Sequence, residues 1–590
     1  MDATPADVDA QEGLQPSSSF FTVALRPLTS SRSVSAEAQP LLDHGAAPHR
    51  LESEGRDLKS ADDAEGDGGE GGGVCGAGMT KGVSWISMLR REFGGNLLIA
   101  LVIVQHLTKG FAGAWIGNAI NFYFRDVGGV NSSKIQTYTA VIMTPWCLKG
   151  MLGLISDTVT ICGYHKAPWI TMSTIGCVWT ALVVGLSPPK GIAPVTALAC
   201  LLVMQLHIAW SDLLTEAKYS ERIRVKPKHG TDLISFVWGG LSVFQLLAVA
   251  SVGLLIEYLG ARYVFALSSI PCALGLLPGT MNLLEEIPSP GRWININMDK
   301  VWKHSNYIIL VLILTVMSIL LAIIGVISEN TELNCLLAVF AGVVTFVSFF
   351  IFADPLVAKT NAFFLLCSTC YLSIEGATFY FFTDNDEQYP DGPHFSAAFY
   401  TTGIGLVASA TSILGIYLYN RCFSHWKYRM IFLVNGVVWT IINLISCAVF
   451  LRWNRMVGIP DEFFVLGSQA LQEMILQMAW IPGVVLMSHL CHQGMEATMY
   501  ALMAGSQNLG SNISYFTGAY LLQLLEVQPS GSKEESRQFD NLWLVAVISS
   551  LAGLVPLVFL PWLIPDARPD EKLVKPSLPH DALDLVDATK

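Results

Sequence analysis

Fourteen apolar stretches, each long enough to cross a hydrocarbon core of roughly 30 Å, follow one another between residues 97 and 564. No other feature restricts the fold as tightly. A backbone crossing lipid must satisfy its own N–H and C=O groups, so such stretches become helices. The sequence predicts spans near 97–124, 136–156, 168–187, 192–214, 232–257, 262–283, 306–327 and 333–353. It predicts six more near 361–382, 395–419, 429–451, 467–490, 494–525 and 541–564. Sparse charge agrees: 14% of the 590 residues are charged and 52% are hydrophobic, where soluble domains carry roughly 25% charge. The chain reads as an all-α polytopic membrane protein.

Lysine and arginine gather on the loops that share a side with the N-terminus, as in Lys218 to Lys228 and Arg421 to Arg429. By the positive-inside rule both termini are cytosolic. The sequon Asn131-Ser132-Ser133 then falls in the first outer loop, which makes Asn131 a glycosylation candidate. Much of the net charge of −12 lies in the N-terminal tail, and no basic run of nucleic-acid type appears. Residues 1–95 are low in complexity, with an acidic, glycine-rich run from Asp62 to Gly73. Such a segment buries too little apolar surface to order itself, so a disordered cytosolic tail is expected. Within it, Glu37 with Leu41 and Leu42 resembles an acidic dileucine signal read by clathrin adaptors. The membrane address expected is the plasma membrane, with an endolysosomal membrane as the alternative. The twelve cysteines are scattered, mostly through apolar segments. They read as small core residues, including the C-x-x-C pair Cys367 and Cys370, so no cofactor or metal is expected.

A repeat spans half the chain. His165, Gly176, Trp179 and Thr180 recur 260 residues later as His425, Gly436, Trp439 and Thr440. Phe122-Tyr123-Phe124-Arg125-Asp126 is echoed by Tyr380-Phe381-Phe382-Thr383-Asp384. Duplication of a six-helix unit explains both, and two parallel six-helix halves are the major-facilitator plan. The expected units are 1–95 (tail), 96–285 (first half), 286–358 (a linker with two extra helices), 359–566 (second half) and 567–590 (tail). The extra pair carries almost no polarity and reads as a lipid-facing hairpin.

Polar residues inside these spans are costly, and each needs a reason. Lys109 and Lys149 put positive charge at depth; for Lys149 the alternatives are contact with a ligand, or an ion pair with Asp157 or another acid. Glu375, near the middle of its span, must be paired, protonated or facing water. Burial would raise its pKa toward the range a proton carrier needs. Asp212 and Glu216 share a helical face, with Lys218, Glu221 and Arg222 close by, and read as a salt-bridged inner gate. Glu496 is their counterpart in the second half. Trp115, Asn118 and Asn121, spaced by three, are expected on roughly one face, for a ligand or for helix–helix bonds.

Several strings resemble the folate–biopterin transporter family, a major-facilitator branch. They are Gln105 with Gly110, Phe122 to Asp126, Pro145-Trp146-x-x-Lys149, Gly153-x-x-Ser156-Asp157, Gly163-Tyr164, Asp212 to Glu221, Gly494-Met495-Glu496-Ala497-Thr498 and Asn508-x-Gly510. Gly150 stands where the family has proline, and His165-Lys166 where it has an arginine pair. The resemblance implies a secondary active transporter importing folate or biopterin, coupled to protons. The polar residues themselves are read as substrate contacts (Lys149, Lys109, Trp115, Asn118 and Asn121), a proton carrier (Glu375) and a gate (Asp157, Asp212, Glu216 and Glu496). S-adenosylmethionine is the alternative substrate. A membrane sensor would need a folded signalling domain. No P-loop marks an ATP-driven pump, and no nucleophile–base set marks an enzyme.

Overall fold

The computed structural model describes residues 74–127, 130–188, 191–288, 294–296, 305–491, 496–569, 571 and 573. The chain opens with α1 (Val74–Phe93). Six helices follow: α2 (Gly95–Asp126), α3 (Ser132–Thr158), α4 (Ala167–Leu186), α5 (Pro194–Val225), α6 (Gly230–Leu259) and α7 (Ala261–Thr280). A hairpin, α8 (Ser305–Ile327) and α9 (Thr331–Phe352), separates them from α10 (Pro355–Thr383), α11 (Ala398–Phe423), α12 (Tyr428–Val449) and α13 (Asp461–His489). The last two are α14 (Glu496–Leu524) and α15 (Ser536–Leu563). Among the described residues thirteen helices are long and apolar enough to span a membrane. The 29-residue α14 fills the fourteenth expected place. Two short strands, β1 (Val159–Ile161) and β2 (Ile294–Ile296), pair antiparallel beyond the end of α3. The end of the bundle carrying α1 is called inner below, following the lysine and arginine bias.

The halves, α2–α7 and α10–α15, meet along two seams, α3 on α14 and α6 on α11. Glycines allow the second approach. A side chain at Gly253 would strike Thr401 and Thr402, and one at Gly405 would strike Val249. Thr402 Oγ1 donates to Val249 O at 2.7 Å.

The α8–α9 hairpin is more than a lipid-facing appendage. Its outer side, including Val316, Phe340 and Ile351, is exposed. Its inner side buries Leu314, Leu321, Ala338 and Ala341 against Ala140 and Cys147 of α3 and Leu509, Ile513 and Phe516 of α14. It therefore straddles the seam and touches both halves.

The tail expected over 1–95 is folded at its end. Trp85, Met88, Leu89 and Phe93 fall on one stripe of α1 and pack on Leu97, Leu101, Leu233 and Val237. Trp85 Nε1 also donates to Asp232 at 3.2 Å. The composition of the whole tail masked this stripe. The sorting pattern at Glu37, Leu41 and Leu42 lies outside the described residues.

One predicted span is broken. The helix of α10 ends at Cys370 and resumes at Glu375. Free backbone groups at this depth need partners. Ser373 N donates to Ser514 O at 3.3 Å and to Ser514 Oγ at 3.1 Å. Ser514 Oγ donates to Tyr371 O, Ser549 Oγ donates to Leu372 O at 2.6 Å, and Gly376 N donates to Gln136 Oε1 at 3.1 Å. Gly518 lies so close to Ser373 O that a Cβ would not fit.

Candidate functional site

The break in α10 opens onto a cavity of about 760 Å³. Its walls come from the second half, with Tyr371, Tyr400, Asn443, Gln469 and Gln472 among the lining residues, and α2 contributes Asn118 and Asn121. Amides donate and accept, and tyrosines add flat apolar surface with a polar tip. Such a lining offers donors, acceptors and flat apolar faces, and Glu375 adds a carboxylate to it.

Glu375 is the first residue of the resumed half-helix and faces this cavity. The N-terminal end of a helix favours an anion there. Asn121 Nδ2 donates to its carboxylate at 3.1 Å and Tyr515 Oη at 3.0 Å. The expected burial is corrected: Glu375 is exposed to the cavity, because the helix in front of it has unwound. Of its two donors, Asn121 belongs to the other half.

A second polar cluster lies within the first half, where α2 widens into a π-helical stretch over Val102–Ala112. Asp212 is 1% exposed. It accepts from Lys149 Nζ at 2.7 Å, Lys109 Nζ at 2.9 Å and Gln105 Nε2 at 3.0 Å. Lys109 also lies over the Trp238 ring and Lys149 over that of Trp146. Asp212 is thus the shared counter-ion of two lysines inside one half-bundle. It stays with Glu216, which Lys149 also approaches, and lies apart from Lys218, Glu221 and Arg222 at the inner end of α5. There Glu221 pairs with Lys166 at 2.8 Å and Lys218 at 3.5 Å, and Arg222 pairs with Glu285.

A smaller cavity of about 390 Å³ lies toward the inner end between the halves. Lys149, Glu216 and Trp238 face it from one half, and Trp480 and Tyr500 from the other. Glu216 is 3.6 Å from Lys149 Nζ. Asp157 is exposed near the inner end of α3. Glu496 opens α14, and its side chain lies outside the described residues.

The three residues expected on one face of α2 separate. Asn118 and Asn121 line the large cavity. Trp115 Nε1 instead donates to Ala248 O at 3.2 Å and Ser251 Oγ at 3.0 Å, both on α6. Two steps of three residues turn a helix through about 120° away from register, enough to swing Trp115 onto its neighbour. Sequence reasoning missed Gln469, Gln472, Asn443 and Tyr515. A signal existed in the i, i+3 pair of glutamines within an apolar span.

The outer ends of the halves are latched together. Ser132 N donates to Pro529 O at 2.9 Å, Tyr380 Oη to Val130 O at 2.6 Å and Asn131 Nδ2 to Gln528 Oε1 at 2.8 Å. Asn131 also caps α3, accepting from Lys134 N at 2.9 Å. The sequon asparagine is therefore committed to the latch and the cap, and Ser132 behind it is fully buried.

The sequence profile of the BT1 family matches residues 109–577. The chain is 24% identical over 507 residues to "Probable folate-biopterin transporter 2" of Arabidopsis thaliana, covering 83% of this chain and 86% of that one. It is 27% identical over 481 residues to "Folate-biopterin transporter" of Synechocystis sp., covering 79% and 83%. Among solved structures it resembles a D-xylose-proton symporter (TM-score 0.52, 13% identity, 80% of this chain and 98% of that one). It also resembles the peptide transporter POT in complex with sulfate (TM-score 0.56, 13% identity, 80% and 96%). These two likenesses speak for the fold alone. A profile matched over most of the chain, on a membrane bundle of two six-helix halves, makes this protein a transporter, not an enzyme, and a member of the BT1 family of folate–biopterin transporters.

Proposed function

We propose that the chain imports folate or a related pteridine by alternating access, driven by a proton gradient. The large cavity is the observation that supports this most. A pterin ring is flat and edged with donors and acceptors, and Asn121, Asn443, Gln469 and Gln472 can meet those edges while Tyr371 and Tyr400 flank the faces. Lys149 borders the inner cavity together with Arg224, and it is the cation assigned in this proposal to the carboxylates of folate. Lys109, held between Asp212 and the Trp238 ring, supports it rather than contacting substrate.

Glu375 is the proposed proton carrier. Ionised, it only accepts, and Asn121 of the opposite half bonds to it. Protonation gives one oxygen a hydrogen to donate and removes the charge that favours that bond. Loading a proton would thus loosen one tie between the halves, which alternating access requires. Asp157, Glu216 and Glu496 are the proposed inner gate, with Asp212 fixing the lysines behind it.

The test is uptake of labelled folate, biopterin and S-adenosylmethionine by cells expressing the chain, at acidic and neutral external pH. Saturable uptake of a pteridine, stronger in acid, is expected. Glu375→Gln should abolish the acid stimulation while sparing substrate exchange; unchanged stimulation in that variant refutes the role. Uptake of S-adenosylmethionine alone would keep the fold and replace the substrate.

A further inference from the structure

Away from both cavities, at mid-depth of the first half, Cys177 of α4, His207 of α5 and Cys272 of α7 converge. All three are 0% exposed. One ligand-capable atom from each lies within 4.8 Å of the other two. The residues come from three separate helices with no spacing motif, which is why the sequence reads them as ordinary core.

The imidazole supplies an independent observation. Ser173 Oγ lies 3.1 Å from His207 Nδ1, and the serine's own proton is directed to Ile170 O at 3.0 Å. With that proton on Ile170 O, Ser173 accepts from Nδ1–H, the tautomer that leaves Nε2 with a bare lone pair. That Nε2 is buried and has no hydrogen-bond partner. An unpartnered nitrogen deep in a membrane bundle is costly. A histidine anchored through Nδ1–H with its Nε2 free has the arrangement of a metal ligand with its supporting outer partner.

We propose that Cys177, His207 and Cys272 form a structural site for one thiophilic d10 cation, Zn(II) or Cu(I). Two sulfurs and an imidazole are soft ligands suited to these ions; Mg(II) and Ca(II) want oxygens. Charge also balances, as burial in a bilayer demands. Zn(II) displaces both thiol protons and the site is neutral; Cu(I) displaces one and the site is again neutral. The ion would pin α4, α5 and α7 to one another and stiffen the half-bundle that moves as a unit against the other.

The experiment counts metals by mass spectrometry in the full-length protein, purified in detergent without chelators from cells grown with zinc and copper. Wild type should carry about one zinc or copper per chain. Cys177→Ser/Cys272→Ser and His207→Gln should lose it, while Cys367→Ser/Cys370→Ser should keep it. A membrane-permeable chelator should strip the wild type and lower its Tm, a readout that stands even where the serine variant fails to accumulate. Wild type without stoichiometric metal overturns the proposal, as does a Cys177–Cys272 disulfide in the purified chain. Transport activity enters none of these readouts, so the outcome is independent of the substrate reading.

Discussion

Asp212 holds two ammonium groups inside one half-bundle. Removing one partner of a buried ion pair leaves charge uncompensated, at a cost of about 3–5 kcal/mol. Asp212→Asn should therefore lower the Tm of the detergent-purified protein sharply. Adding Lys109→Met to it should recover part of the loss, since one stranded cation is gone. An Asp212→Asn protein that melts like wild type would show that the cluster does not stabilise the half. At the outer end, Asp384 is 0% exposed and Glu535, against it, 8%. Burial and the Glu535 carboxylate push the Asp384 carboxyl up to about 8, with Arg125 of the other half opposing them. In the unfolded chain the same group titrates near about 3.9. The folded protein therefore holds a proton that the unfolded chain releases. This contribution to stability is full in acid, declines as pH rises above the unfolded value, and is gone above about 8. The Tm of the detergent-purified protein should fall as pH rises from about 5 to about 8, and Asp384→Asn should flatten that fall. An Asp384→Asn protein whose Tm falls as steeply as that of wild type would contradict this.

The broken helix α10 sets where Glu375 points. Its four unwound residues, Tyr371 to Ile374, are held by Ser514 and Ser549 from α14 and α15, and Gly376, second in the resumed helix, by Gln136 from α3. Gly518→Val would drive a side chain into Ser373 O. Either the break or α14 must then move, so that variant should reach the membrane poorly, or reach it with pteridine uptake lost. Gly467→Ala makes a control for added bulk, since it sits within α13 and nothing stands near a Cβ there. Uptake by Gly518→Val equal to wild type would mean the close packing of α14 on the break is dispensable. Nothing in Tyr371-Leu372-Ser373-Ile374 forbids a helix. The partners that stabilise the break lie far along the chain, so this feature was not legible from local sequence.

At the scale of the molecule, the latch between Ser132, Val130 and Asn131 on one side and Pro529, Tyr380 and Gln528 on the other closes the outer end. Alternating access requires it to part in every cycle. Asn131→Cys with Gln528→Cys should cross-link, stop uptake, and regain it on reduction; full uptake in the cross-linked state would refute the cycle. The helix count, the two halves and the intervening pair were legible because a lipid-crossing segment advertises itself by length and polarity, and a duplication by repeated residues such as Trp179 and Trp439. Part of the candidate site was legible too: Lys109, Lys149, Asp212 and Glu375 stand out as charges in apolar spans. Their pairing was not, because Asp212 lies 63 residues from Lys149 and 103 from Lys109.

The sequence by itself determined that this chain crosses a membrane many times, that it is built from two related halves, and which few charged residues the bilayer must accommodate. Those properties follow from transfer free energies summed along short segments, which need no knowledge of distant partners. The tertiary structure alone decided which charge meets which, where α10 unwinds, that Trp115 turns to α6 while Asn121 turns to Glu375, and that the α8–α9 hairpin straddles the seam. Each of these depends on what packs across tens or hundreds of residues, where a backbone group or a charge finds the partner that hydrocarbon does not supply.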